Sequence, residues 1–254
     1  MLRWASLGSG SRGNATIVEW ADGALLLDCG FSMKETIARL ARLQRDPSQL
    51  RAIVVTHEHS DHIQGVAVLA RRFNIPVYMT PGTYHSRDLG KIPQLNLIQD
   101  QEVFSLDGLQ VEPVAVPHDA REPVQYIFRY RQQRLGVLTD LGSVSPHVEN
   151  RYQDCDALVL EANHDPMMLA GGAYPPSLKQ RVGGPWGHLS NAQAAGFLER
   201  LDTARLRHLA IAHISQKNNT LALTREAIAP VAQAAHNLVY ACQDEGFEWL
   251  SLEV

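Results

Sequence analysis

The sequence predicts an α/β protein built as a four-layer αββα sandwich, and three observations carry that expectation. Strand-like segments come first in each half of the chain, with helical segments between and after them. Metal-type polar residues recur directly after apolar strands, at His57, His118, Asp140 and His213. Six consecutive residues, His57-Glu58-His59-Ser60-Asp61-His62, gather three imidazoles and a carboxylate in one loop. Strands and helices ordered this way pack as two sheets face to face with helices outside.

The elements follow from local pattern. Leu2–Leu7, Ala15–Trp20 and Ala24–Asp28 read as strands separated by Gly-rich or Asp-Gly turns. Lys34–Gln44 carries a helical stripe of Ile37, Leu40, Ala41 and Leu43, and Pro47 follows it. Ile53–Thr56 is a buried strand that delivers the His loop. His62–Phe73 is helical, with Ile63, Val66, Ala67, Leu69 and Ala70 facing inward, and Pro76–Thr80 is a strand. Val103–Pro117 is strand-like with a turn at Asp107-Gly108. Val124–Tyr130 and Arg134–Thr139 form a hairpin, and Ala157–Glu161 is a short apolar strand. Asn191–Leu201 is a helix capped by Ser190, His208–His213 a strand, and Leu223–His236 a helix. With no linker or repeat in view, residues 1–254 are expected to form a single domain.

Composition narrows the function classes. A hydrophobic fraction of 45% supports a sizeable core, and a net charge of −4 supplies no global basic field for nucleic acid. A local Arg/Lys stripe, or metal ions, would still bind phosphate. Cys29, Cys155 and Cys242 are widely spaced and make no CxxC pair, which points to reduced thiols and a cytoplasmic location. The N-terminus lacks the pattern of a signal peptide, and no apolar run approaches the roughly 20 residues needed to span a bilayer, so no membrane association is expected.

Imidazole and carboxylate are the usual ligands of zinc and its neighbours. One strand end feeding one loop aims His57 and His59 one way and Asp61 and His62 another, which suits two adjacent ions. His118, Asp140 and His213 taken singly are ordinary strand-end residues; beside the His57–His62 loop they become ligands converging on one edge of the sandwich.

On these residues the chain resembles the metallo-β-lactamase-fold superfamily, whose members carry an HxHxDH loop, a later His, a bridging Asp and a final His in this order. The resemblance implies that His57, His59 and His118 hold one divalent metal ion and that Asp61, His62 and His213 hold the other, with Asp140 between them. It also implies the αββα sandwich. Zinc, manganese and iron all suit such a site. Two ions lower the pKa of a bridging water, supplying hydroxide at neutral pH, and stabilise charge on an attacked oxygen. Asp61 would in addition orient the nucleophile. Glu58 and Ser60 are expected to support the loop, and Asp28 either supports a ligand or forms a turn.

Two further motifs bear on substrate. Gly8, Gly10 and Gly13 match GxGxxG, but the following Ala15–Trp20 is a strand, so no helix N-terminus receives a pyrophosphate and a dinucleotide site is excluded. A tight turn at the site's rim is expected there. Gly187-His188-Leu189-Ser190-Asn191 resembles the Gly-His segment of tRNA 3′-processing endonucleases and related phosphodiesterases. By that resemblance His188 would protonate or stabilise the leaving oxygen, assisted by Glu161. The segments Leu7–Asn14, Asp28–Ser32, Thr56–His62, Glu161–Asp165, Gly187–Asn191 and His213–Asn219 together resemble the YycJ/WalJ-like branch, bacterial proteins related to 5′-to-3′ DNA exonucleases. The chain lacks the inserted cap of β-CASP nucleases and the long arm of tRNA-processing enzymes.

The expected activity is therefore that of a dinuclear phosphodiesterase on nucleic acid, a nuclease with DNA favoured over RNA. A small-molecule metallohydrolase, cyclic phosphodiesterase or thioester/lactone hydrolase, uses the same ligands and is the alternative. Lys179, Arg181 and Lys217 are candidate phosphate contacts, Tyr174 a candidate base-stacking residue, and His164 a candidate lining residue. His85, His147, His208 and His236 read as structural or solvent-facing.

Overall fold

The computed structural model describes residues 1–253. The chain opens with six strands, β1 (Leu2–Gly8), β2 (Ala15–Trp20), β3 (Gly23–Leu27), β4 (Leu50–Val54), β5 (Val77–Met79) and β6 (Leu95–Leu97). Seven more follow: β7 (Phe104–Leu106), β8 (Leu109–Ala115), β9 (Val124–Tyr130), β10 (Gln133–Leu138), β11 (Ala157–Glu161), β12 (His208–Ala212) and β13 (Asn237–Tyr240). The last, β14 (Phe247–Leu252), returns to pair with β1. Two seven-stranded sheets result, ordered β14-β1-β2-β3-β4-β5-β6 and β13-β12-β11-β10-β9-β8-β7. Each sheet is antiparallel on one side and parallel on the other: β3 to β6 run parallel in the first, β10 to β13 in the second.

The helices are α1 (Met33–Arg42), α2 (Ser60–Ile63), α3 (Val66–Phe73), α4 (Pro81–His85), α5 (Pro146–Arg151), α6 (Pro166–Gly171), α7 (Pro176–Val182), α8 (Asn191–Arg200) and α9 (Leu221–Ile228). Local chemistry sets their starts. Ser32 with Glu35 and Ser190 with Gln193 form capping boxes on α1 and α8, satisfying otherwise orphaned N–H groups.

Three apolar layers hold the sandwich together. Trp4, Leu25, Val54, Tyr126, Phe128 and Val159 meet between the sheets. Ile17, Leu26 and Ile53, on the outer face of the first sheet, pack under Leu40 of α1 and Leu69 of α3. Leu158, Leu209 and Ile211, on the outer face of the second, pack under Phe197 of α8 and Ile228 of α9. Alternate residues of one strand thus serve two layers, as the two-residue period of a strand requires. The four-layer expectation holds.

Several element expectations are corrected. The helix expected over His62–Phe73 is two pieces, α2 and α3, broken at Gln64-Gly65, where Gly65 N–H donates to Cys29 O (2.7 Å). A Cβ at Gly65 would lie 2.2 Å from Phe31 O, so the break permits a close backbone approach. Val103–Pro117, by contrast, is as expected: strands β7 and β8 paired around the turn at Asp107-Gly108. The helix expected over Leu223–His236 stops at Ile228 because Pro230 removes a backbone donor and disfavours helix in the residue before it. Tyr174 and Pro175 lead into α7, which starts at Pro176.

No disulfide forms among the described residues. Burial pushes the Cys29 and Cys155 thiols up to about 12, whereas Cys242 is exposed. A thiol reagent at neutral pH is therefore expected to modify one cysteine per native chain and all three after denaturation. Fast modification of a second cysteine in the native protein would contradict the burial described.

Candidate metal centre

Six chemically active residues stand just beyond or at the carboxyl ends of strands: Asp28 after β3, His57 after β4, His118 after β8, Asp140 after β10, Glu161 at the end of β11 and His213 after β12. The carboxyl edge of parallel strands is the usual location of sites in layered α/β folds. Asp28, Asp140 and His213 all adopt left-handed backbone, with φ of 60°, 53° and 52°. Such conformations cost on the order of 1 kcal/mol each for residues with a Cβ, and the surrounding contacts hold them.

The first group is His57, His59 and His118. His59 Nδ1 lies 3.0 Å from His57 Nε2 and 3.2 Å from His118 Nε2. The outward nitrogens of the other two rings are taken: His118 Nδ1 donates to Gly187 O (3.0 Å), and His57 Nδ1 donates to Thr56 Oγ1 (2.9 Å), whose own proton goes to Asp28. Burial keeps His57 and His118 below the ordinary imidazole range, hence neutral. Their Nε2 lone pairs both turn toward His59 Nδ1, a convergence of three imidazole nitrogens that suits a cation.

The second group is Asp61, His62, Asp140 and His213. His62 Nε2 lies 3.5 Å from Asp61 Oδ2 and 3.3 Å from Asp140 Oδ2, and His213 Nε2 lies 4.0 Å from Asp61 Oδ2. His62 Nδ1 donates to Asp28 Oδ2 (2.8 Å), so Asp28 supports a candidate ligand. Asp140 Oδ2 is buried with no well-formed hydrogen bond among the described residues. A carboxylate oxygen left in that state is costly unless an ion meets it. Burial lowers His62 and His213, yet Asp140 and its neighbouring carboxylates outweigh it and raise both above the ordinary range. The charges that hold protons on those rings suit metal cations in the protons' place.

His188 and Glu161 complete the cluster. Glu161 is fully buried, and its Oε2 meets His188 Nδ1 at 2.9 Å, His213 Nδ1 at 3.1 Å and Asp140 N–H at 3.0 Å. Its Oε1 accepts from Leu189 N–H (2.8 Å). Burial raises this carboxyl, but His188 and His213 outweigh it and hold Glu161 ionised, well below the usual range. His188, partly exposed, lines a cleft of about 370 Å³ with His59, Asp61, Tyr174, Arg181 and His213. A hollow of 560 Å³, at the opposite strand ends by Trp20, Arg45 and Arg51, holds none of these groups.

All nine residues expected from sequence thus gather in one place. The Gly-rich turn is a support as well: Asn14 Nδ2 approaches Asp61 Oδ2 (3.3 Å) and His62 Nε2 (3.1 Å), and Ser9 Oγ accepts from His213 N–H (2.9 Å). Glu58 accepts from Arg121 N–H, outside the ligand set. His164 is buried but does not line the cleft, and Lys179 donates to Ala170 O. His208 packs edge-on against Trp4, a structural role. Sequence reading missed Asp119, whose Oδ1 lies 3.5 Å from His118 Nε2; only its place after His118 marked it. It missed Asn163 too, which donates to His213 O (3.0 Å) and gives no signal beyond the end of β11.

With two facing sheets and a His/Asp cluster across their edge, the fold and site define a metal-dependent hydrolase. The chain belongs to the metallo-β-lactamase superfamily: a beta-lactamase superfamily domain model matches residues 24–214. Within it, the chain is homologous to exodeoxyribonucleases. It is 36% identical over 236 residues to exodeoxyribonuclease YycJ of Bacillus anthracis, covering 91% of this chain and 89% of that one. It is 36% identical over 224 residues to exodeoxyribonuclease WalJ of Streptococcus pneumoniae serotype 2 (strain D39), covering 86% and 83%. Its fold is that of the metallo-beta-lactamase fold protein YhfI from Bacillus subtilis (TM-score 0.74, 13% identity, 99% and 100% covered) and of a diphosphatase of the PhnP family (TM-score 0.72, 18% identity, 100% and 98% covered).

Proposed function

We propose that the protein is a dinuclear-metal phosphodiesterase acting on nucleic acid, an exonuclease on DNA. The observation that carries this reading is His188, held by Glu161 beside the ligand set and open to the cleft. His57, His59 and His118 would hold one ion, and Asp61, His62 and His213 the other, with Asp140, one oxygen of which faces His62, as their shared ligand. Zinc or manganese suits this donor set, and iron also fits it. When bound, the ions supply an activated water at neutral pH and offset charge on the attacked phosphoryl group.

The remaining work falls to the chain. Asp61, partly exposed, orients the attacking water. Glu161 accepts a hydrogen bond from His188 Nδ1, which turns Nε2 toward the departing oxygen; with both ring nitrogens protonated, the imidazolium gives its Nε2 proton to that oxygen and is left neutral. Glu161 touches no substrate; it positions His188 and His213 together. The homology to exodeoxyribonucleases over nine-tenths of the chain supports DNA as the polymer.

Metal-free protein reloaded separately with zinc and with manganese is expected to release mononucleotides from end-labelled DNA. The position of the label gives the direction. His188→Ala should lower kcat by about 10²- to 10⁴-fold with metal content unchanged. Cleavage of a simple phosphodiester, thioester or lactone, with no polymer cut, would overturn the nuclease reading in favour of a small-molecule hydrolase.

A further inference from the structure

Beside the metal cleft lies a second hollow, about 360 Å³, lined by Asp119, Gln180, Arg181, Pro185 and Trp186 among others. Asp119 and Arg181 line the metal cleft as well, so the two hollows adjoin across that pair. Trp186 is 59% exposed, whereas Trp4 and Trp20 are buried. An indole left in water forfeits a large apolar gain, which marks a surface with a partner.

Its mounting is rigid. Trp186 O accepts from Asp119 N–H (2.9 Å), Pro185 O accepts from Ser143 Oγ (3.0 Å), and Gly187 O accepts from His118. The ring thus stands two residues before His188 on a segment pinned to the first ligand group. At the junction of the two hollows, Arg181 Nε donates to Asp119. The terminal guanidinium nitrogens of Arg181 make no hydrogen bond among the described residues.

We propose that this hollow receives the nucleotide adjoining the scissile phosphodiester in a single-stranded nucleic acid. Its base stacks on Trp186 and its phosphate takes the free donors of Arg181. The proposal rests on the nuclease reading above. A strand leaving the metal cleft on this side must pass the cation at the junction, and a guanidinium fork matches phosphate oxygens. An aromatic face accepts every base, as a nuclease without sequence preference requires. The hollow is sized for one ring system, at the lower end of ligand-site volumes.

The test uses metal-loaded protein, a series of oligodeoxynucleotides from the dinucleotide to the decanucleotide, and bis(p-nitrophenyl) phosphate. KM is expected to fall as the strand lengthens past the dinucleotide. Trp186→Ala should erase that gain, raising KM for the decanucleotide about tenfold and far more than for the small ester. Trp186→Phe, which keeps a stacking face, should recover part of it. Oligothymidylate should quench tryptophan fluorescence in the parent and not in the variants. If the parent cuts the oligonucleotides and Trp186→Ala keeps the same length dependence, the inference fails and the nuclease reading stands. If the parent cuts only the small ester, both fail.

Discussion

Asp140→Asn is expected to lower hydrolysis at least about 10³-fold while leaving the circular dichroism spectrum of the fold intact. The asparagine keeps the shape of the buried side chain. What disappears is the negative charge at the heart of the second group: Asp140 Oδ2 stands 3.3 Å from His62 Nε2, and Oδ1 stands 3.1 Å from His213 Nδ1. Stabilisation of transition-state charge by bound ions is worth several kcal/mol, so losing or misplacing one ion accounts for a defect of this size. Metal analysis should find fewer than two ions per chain, because the amide oxygen is a weaker ligand. A variant that keeps both ions and the parent's rate would remove Asp140 from the reading of the centre.

Gly30→Ala is expected to cost about 3 kcal/mol of stability, near the upper end of overpacking penalties, and to weaken metal retention with it. A Cβ on Gly30 would lie 1.7 Å from the carbonyl oxygen of Asp61 and 2.8 Å from Asn14 N. Those atoms are backbone, already bonded to each other at 2.7 Å, and cannot swing aside as a side-chain tip would. Relief requires moving the loop that carries His59, Asp61 and His62. Gly171→Ala is the control, since a Cβ there meets nothing within 4 Å, and its effect should stay within about 0.5 kcal/mol. Thermal melts of the two variants with and without metal decide the matter. Equal melting temperatures for Gly30→Ala and the parent would show that the loop and the Asp28–Gly30 strut are not tightly packed.

The candidate ligand set was legible because its residues are of rare type and sit at strand ends, where the apolar pattern breaks. His57 after Val54-Val55-Thr56 and His213 after Ile211-Ala212 carry that signature in a few residues. The supports were less legible. Asp28 and His62 are 34 residues apart, and Glu161 and His213 are 52 apart, so only folding pairs them. Glu161 could be named by resemblance, while its grip on His213 could not. Nothing in the sequence pattern singles out Trp186; the turn that carries it is fixed by Asp119 and Ser143, both distant along the chain. At the other end, the Ala-rich run after Pro230 looks helical by composition, yet it forms turns that deliver β13.

The pairing of β14 with β1 has a consequence for biosynthesis. Leu2–Gly8 is made before the other thirteen strands, and one of its hydrogen-bonding edges lacks its β14 partner until Phe247–Leu252 leaves the ribosome. Throughout translation of the second sheet the nascent chain carries an open, apolar strand edge, the kind of surface on which chains adhere to one another. The first sheet cannot mature as a unit ahead of the second. The edge that carries the His/Asp cluster draws residues from both, and is completed only after β12 of the second sheet has been made.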